Sequence, residues 1–262
     1  MEFLQIISDT VVKNFAYVYP VIAIFARISL LAFMLPGLGE TAISMRTRLA
    51  ASLMLTWLLT PIIVQSGIGA SMNGWGLAQM SMGIGLEALH GFTLGFGLRV
   101  MVYALQIAGS IISQSLSLTQ VFGGGMTSEP NTTIGTLLIL SGVTLLVTLD
   151  LHVRAFALLI QSYDIFPLAS TPDFDKLAYW AAEKSTAVFG FAVALALPFL
   201  ILNFIYNLML GFLNKAMPQL MVSFVGMPFI IGAGIVLLAL SIGGILLTWL
   251  GEYNVHMAGL YS

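Results

Sequence analysis

Apolar residues in this chain come in runs of membrane length, broken by polar stretches rich in glycine and proline. A helix needs about 20 mostly apolar residues to cross a bilayer. The first run is Phe15–Leu35, stopped by Pro36-Gly37, and the second is the shorter Leu49–Val64, which contains Pro61. The stretch SGIGASMNGWG separates them from the long, glycine-rich Met82–Ile107. A polar, glycine-rich segment around 109–133 leads to Ile134–Leu149. A short amphipathic helix is expected at Val153–Ile165, ending at Pro167, and the loop ASTPDFDK follows. A fifth run extends from Leu177 to Ala216, with Pro198 expected to kink it. The motif MPQLMVSFVGMP reads as a turn before the sixth run, Phe229–Leu250, and a short polar tail.

Backbone groups in lipid must pair within the protein, so spanning segments are helices or closed barrels. These runs are too long and too continuously apolar for barrel strands. The expected fold is all-α and polytopic: about six long hydrophobic helices plus a short amphipathic one.

Composition agrees. Hydrophobic residues make up 59% of the 262 residues, charged residues 8%, and the mean hydropathy is +1.01. A soluble domain carries about 25% charged residues, so this chain lacks the polar surface to cover a soluble globule. The net charge of −2 and the lack of a basic cluster give no support for nucleic-acid binding. With no cysteine, disulfides and thiolate chemistry are excluded. The start, MEFLQIISDTVVKN, has no basic n-region, and Asp9 and Lys13 interrupt it, so an uncleaved first anchor is expected rather than a signal peptide. Placing Arg46, Arg48 and Lys215 inside puts the N-terminus outside, but Lys176 and Lys184 then fall on the wrong side, accompanied by Asp173, Asp175 and Glu183.

Several residues stand where lipid should forbid them. Arg27 lies within the first run, where a charge costs roughly 2.5–3.5 kcal/mol on insertion scales. It serves either a structural ion pair or carbonyl contact, or a transport path. Glu87, Gly91, Gly95 and Arg99 step by four along the third run, on a slowly drifting stripe. Gly91 and Gly95 permit close approach of another helix. The drift keeps Glu87 and Arg99 apart on their own helix, so each needs a partner elsewhere. His90 beside them reads as a packed histidine. Asp150 and Arg154, with His152 between, suit an interfacial salt bridge and lack the ligands of a metal site. Asn203, Asn207 and Asn214 share one face of the fifth run, turned toward another subunit or an aqueous path. No nucleophile elbow, P-loop, HExxH or pair of carboxylates with a nearby histidine occurs, so neither catalysis nor a cofactor or metal is expected.

Four stretches together resemble the FliR family of flagellar export-gate components, related to the SctT proteins of injectisomes. They are ARISLLAFMLPGLGETAISMRTRLAASLML (26–55), LEALHGFTLGFGLRVMVYALQIAGSIISQSLSL (86–118), LDLHVRAFALLIQSYDIFPL (149–168) and NKAMPQLMVSFVGMP (214–228). Their order covers nearly the whole chain. Ser117 stands where the family usually has glycine, Glu129-Pro130 where Asp-Pro is expected, and Phe229-Ile230 where a lysine often follows. The turn Met217-Pro218-Gln219 leans flagellar.

The resemblance implies a non-enzymatic gate subunit in the bacterial inner membrane, within the flagellar basal body. It would close a helical ring with FliP-like and FliQ-like subunits, contact an FlhB-like protein and membrane lipid, and pass unfolded export substrates. Residues 1–176 would be the FliP-like part and 177–262 a FliQ-like hairpin. The segment Val121, Phe122, Gly123, Gly124, Gly125 and Met126 would be the pore plug. An injectisome SctT-type subunit is the alternative, followed by an unrelated secondary transporter or channel or a membrane enzyme using His90 or His152.

Overall fold

The computed structural model describes residues 2–40, 42–63, 76–116, 132–216 and 222–260, with side chains described from residue 18 and, in the last segment, from residue 226. The described residues form seven α-helices: α1 Glu2–Met34, α2 Met45–Ile63, α3 Leu77–Ser115, α4 Thr133–Thr148, α5 Leu151–Ile165, α6 Phe174–Ala216 and α7 Val222–Leu260. Each of the six apolar runs falls on its own helix, and the amphipathic segment is α5. Helices α3, α6 and α7 are long and apolar enough to cross a membrane. Helices α4 and α5 together make a fourth, broken candidate.

The boundaries differ from the hydrophobic pattern in a consistent direction. Helix α7 begins at Val222 and contains Pro228, so the second half of MPQLMVSFVGMP is helix rather than turn. It also continues to Leu260, through the expected polar tail. Helix α3 runs to Ser115, into the stretch expected to be irregular. Glycine and proline break helices in water, where a freed backbone group finds a solvent partner. An apolar medium offers no such partner, so the helix persists. Asp150 is the reverse case. It precedes α5 in the left-handed conformation, φ 58°, and so is not on the helix that carries Arg154.

The chain divides into two compact units. The first comprises Met1–Arg99 and Leu146–Tyr179. Its core lies along α1, where Tyr19, Ala23, Ile24, Ile28 and Leu31 are buried, and continues at Leu35 just after the helix. Helix α5 buries Leu151, Ala155, Leu158, Leu159, Ser162 and Tyr163, a stripe at helical spacing. Ile28 and Leu31 of α1, Leu35 just beyond it, Leu55 of α2 and Phe156 and Leu159 of α5 line one seam. Helix α2 buries Ser52 and Thr56 together with Leu59 and Ile63, while Trp57 is 85% exposed and Met54 74%. The buried hydroxyls donate back to their own helix, Ser52 Oγ to the Arg48 carbonyl at 2.9 Å and Thr56 Oγ1 to the Ser52 carbonyl at 2.7 Å. They are therefore satisfied without water, and the apolar side is left for lipid or another chain.

The second unit comprises Val100–Leu145 and Trp180–Ser262. Its anchor is Trp249 of α7, fully buried, whose indole Nε1 donates to the Met101 carbonyl at 2.7 Å. Helices α3 and α4 cross at Gly109 and Gly135, where a Cβ on Gly109 would strike the Gly135 backbone. Much of α6 and α7 is uncovered: their spanning windows are 28% and 17% buried, against 61% in α3.

Candidate functional site

The first unit holds a cluster of charge at the centre of its helices. Arg27 and Glu87 are both fully buried. Arg27 Nε donates to Glu87 Oε2 at 2.7 Å and Nη2 donates to Oε1 at 3.0 Å, a bidentate pair. Arg27 Nη1 donates to Ser162 Oγ of α5 at 3.1 Å. Nη2 also donates to the Phe166 carbonyl at 2.9 Å and lies 3.2 Å from His90 Nδ1. A guanidinium only donates, so that imidazole nitrogen accepts. Nη2 has two hydrogens for three acceptors and shares them. On the other side, Glu87 Oε1 accepts from the Ala169 amide at 2.7 Å. The Tyr163 ring lies under the guanidinium, 3.9 Å from Cζ, and His90 stacks on Phe166 at 4.9 Å between ring centroids.

Helix packing makes this geometry. A Cβ on Gly91 would fall on the Arg27 carbonyl, and one on Gly95 would strike the Met34 side chain. The two glycines therefore bring α1 and α3 to near backbone contact, one turn from the charges. A second pair lies further along the same two segments: Arg99 Nη1 donates to Glu40 Oε1 at 2.8 Å, in a partly exposed position. Arg48 of α2 donates to the Glu40 carbonyl, and its guanidinium lies 5.5 Å from the centroid of the Phe33 ring. Arg27 and Glu40 thus meet Glu87 and Arg99 in the same chain direction. Antiparallel pairing of these segments would set Arg27 toward Arg99 and Glu40 toward Glu87, like against like. The alternation of sign specifies a parallel register for the α1 and α3 segments.

Glu87 and Arg99 do not meet, and each finds its partner on the segment that the glycine stripe admits. Asn203 and Asn207 lie together on α6, where Asn207 Nδ2 donates to the Asn203 carbonyl and to Asn203 Oδ1, both at 2.8 Å. Asn207 and Asn214 are exposed. This ladder uses part of the amides' capacity and leaves the rest facing outward, on a helix whose neighbours Phe204 and Phe212 are also exposed. Asp150 and His152 are exposed, with 4.0 Å between Oδ1 and Nε2. Among the described residues no group of three or more metal-ligating side chains converges. The expected plug, Val121, Phe122, Gly123, Gly124, Gly125 and Met126, and the turn Met217-Pro218-Gln219 lie outside the described residues.

Sequence reasoning did not find Glu40, Ser162, Tyr163 or the backbone of Phe166 and Ala169. Glu40 carried a usable signal, since it is an acid in an apolar hairpin whose nearest apolar neighbours expect none. The other groups carried no signal, because a serine, a tyrosine and two peptide groups occur everywhere.

The sequence profile of the bacterial export proteins, family 1, matches residues 18–254. The chain is similar to the flagellar biosynthetic protein FliR of Caulobacter vibrioides, with 32% identity over 241 residues that cover 90% of this chain and 94% of that protein. It is similar to the protein of that name from Pectobacterium carotovorum, 28% identical over 236 residues, 89% of this chain and 86% of the relative. The Escherichia coli protein of the same name is 26% identical over 226 residues, 85% of this chain and 82% of the relative.

Proposed function

The chain belongs to the bacterial export proteins, family 1, and from that membership we propose that it is the FliR-type subunit of a flagellar type III export gate. It is a multi-pass protein of the bacterial inner membrane. The observation that carries the reading is the similarity to a flagellar FliR across 90% of this chain and 94% of the relative. In this role the chain joins FliP-like and FliQ-like subunits in a helical ring, beside an FlhB-like protein, and unfolded flagellar subunits pass through the ring. Residues 1–176 take the FliP-like place and 177–262 the FliQ-like place. The segment Val121–Met126 is the plug, with glycines that rearrange readily and a phenylalanine and methionine that fill a narrow lumen. The subunit works as conduit and gate, and the energy of export is supplied elsewhere.

The exposed surface supports a subunit role. Leu240 of α7 is 81% exposed and Phe204 of α6 69%. Beside such surface, Asn207 presents an amide that lipid cannot satisfy. A neighbouring protein helix satisfies both.

The test is purification of the tagged chain from membranes of its own cells. FliP-like and FliQ-like proteins are expected in one large complex with it. Recovery of the chain alone as a stable, functional monomer would overturn the reading. Deleting residues 121–126 is expected to raise ion leak through the assembled complex. Unchanged permeability would make the segment a spacer.

A further inference from the structure

The buried ion pair does more than neutralise itself. Each partner holds a backbone group of the same short connection between α5 and α6: Arg27 Nη2 donates to the Phe166 carbonyl at 2.9 Å, and Glu87 Oε1 accepts from the Ala169 amide at 2.7 Å. The chain folds on itself here, with the Ser170 amide, one residue past Ala169, donating to the Pro167 carbonyl at 3.0 Å. Ala169 is left-handed, φ 59°, an unfavourable conformation for a residue with a Cβ. It persists only where surrounding bonds hold it. The His90 ring stacked on Phe166 presses the same connection from α3. Leu168, between the two held groups, is 8% exposed.

We propose that Arg27 and Glu87 form a directional clasp whose work is to close the Phe166–Ala169 connection, and that this connection opens first when the clasp is broken. The clasp is directional because backbone polarity cannot be exchanged. The Phe166 carbonyl needs a donor and the Ala169 amide needs an acceptor. Exchanging the two charges restores the ion pair yet sets a carboxylate toward the carbonyl and a guanidinium toward the amide. An ordinary ion pair tolerates exchange, and this one does not.

The absence of cysteine from the chain makes the test direct. Leu168→Cys supplies a single thiol on the connection, and Ala155→Cys supplies one at a fully buried position of α5. Each is placed in the full chain in its native membranes and labelled with a small maleimide. With Arg27 and Glu87 intact, both thiols are expected to react slowly. In Arg27→Gln, the thiol at 168 is expected to react at least about tenfold faster while the thiol at 155 stays protected. The double exchange Arg27→Glu with Glu87→Arg is expected to leave 168 as reactive as the single variant does.

Protection of 168 in Arg27→Gln would overturn the clasp. Recovered protection in the double exchange would reduce it to a plain ion pair and overturn its direction. Equal exposure of 155 and 168 would show that the pair holds the whole unit rather than the connection, which also overturns it. The readout is labelling and does not depend on export, so it stands or fails apart from the proposed function.

Discussion

At the scale of single residues, Tyr163 and Asp173 show what local chemistry decides. Tyr163 serves Arg27 through its ring, while its buried hydroxyl has no hydrogen-bond partner among the described residues. A buried unpaired hydroxyl is a cost that its removal relieves. Tyr163→Phe is therefore expected to leave stability unchanged or slightly higher. Tyr163→Leu, which removes the ring, is expected to lose about 1–2 kcal/mol of cation–π stabilisation. Thermal unfolding of the two variants in the same detergent compares them, and equal loss in both would refute the assignment to the ring.

Asp173 caps α6 and is exposed. Its Oδ1 accepts from the Lys176 amide at 3.2 Å, and Lys176 Nζ lies 3.1 Å from Oδ2. These bonds, the backbone one first, hold its carboxyl below the usual carboxylate range. The charged form is the one the fold favours. Its contribution is present above the ordinary aspartate value of about 3.9 and is lost as pH falls through the lower folded value. Amide exchange at Lys176, corrected for its intrinsic pH dependence, should lose protection in acid. In Asp173→Ala the protection should be low at every pH.

At the scale of elements, two glycines and two charge pairs set how α1 meets α3. A methyl group on Gly91 lands on the Arg27 carbonyl, so Gly91→Ala forces the helices apart and stretches the ion pair one turn away. The expected loss is about 1–3 kcal/mol from overpacking, with further loss if the ion pair opens. Gly85, on the same helix, has nothing within 4 Å of where its Cβ would stand. Gly85→Ala is expected to gain up to about 1 kcal/mol through helix propensity alone. Measuring both by thermal unfolding separates crossing geometry from propensity, and a similar sign in the two would refute the close-approach account. The charges act differently from the glycines. Gly91 and Gly95 allow the approach in either chain direction, and the alternating signs of Arg27, Glu40, Glu87 and Arg99 select the parallel one.

At the scale of the whole molecule, the amide ladder on α6 is a polar feature on an uncovered apolar surface. Asn203→Leu with Asn207→Leu breaks no described hydrogen bond to another helix, since both residues bond along their own helix in the bonds described. The isolated chain should therefore fold as well or better in detergent. The assembled complex should dissociate at lower detergent concentration, because the partner's polar groups lose their counterparts. Size-exclusion profiles of chain and complex measure the two effects, and an unweakened complex would show that the ladder does not face a protein partner.

The order of helices and the membrane as solvent were written in the apolar runs, because burial in lipid needs length and hydropathy more than any particular partner. The isolation of Glu87 from Arg99 followed from helical drift, and the glycine stripe announced a close crossing. The family was legible for a related reason: four motifs in order carry more information than any one residue. The helix ends were less legible. Pro228 signals a break by a rule learned in water, and an apolar medium overrides it; the polar residues after Leu250 are compatible with helix, which runs on to Leu260.

Partner choice was not legible at all. Arg27 takes Glu87, Ser162 and the Phe166 carbonyl, groups from two stretches of sequence far from its own that only the packing of α1, α3 and α5 brings to one point. A sequence states that a charge in an apolar run must be answered. Which residue answers it, and that the answer also clasps a backbone connection, depends on distances of about 3 Å that exist only once the helices have packed.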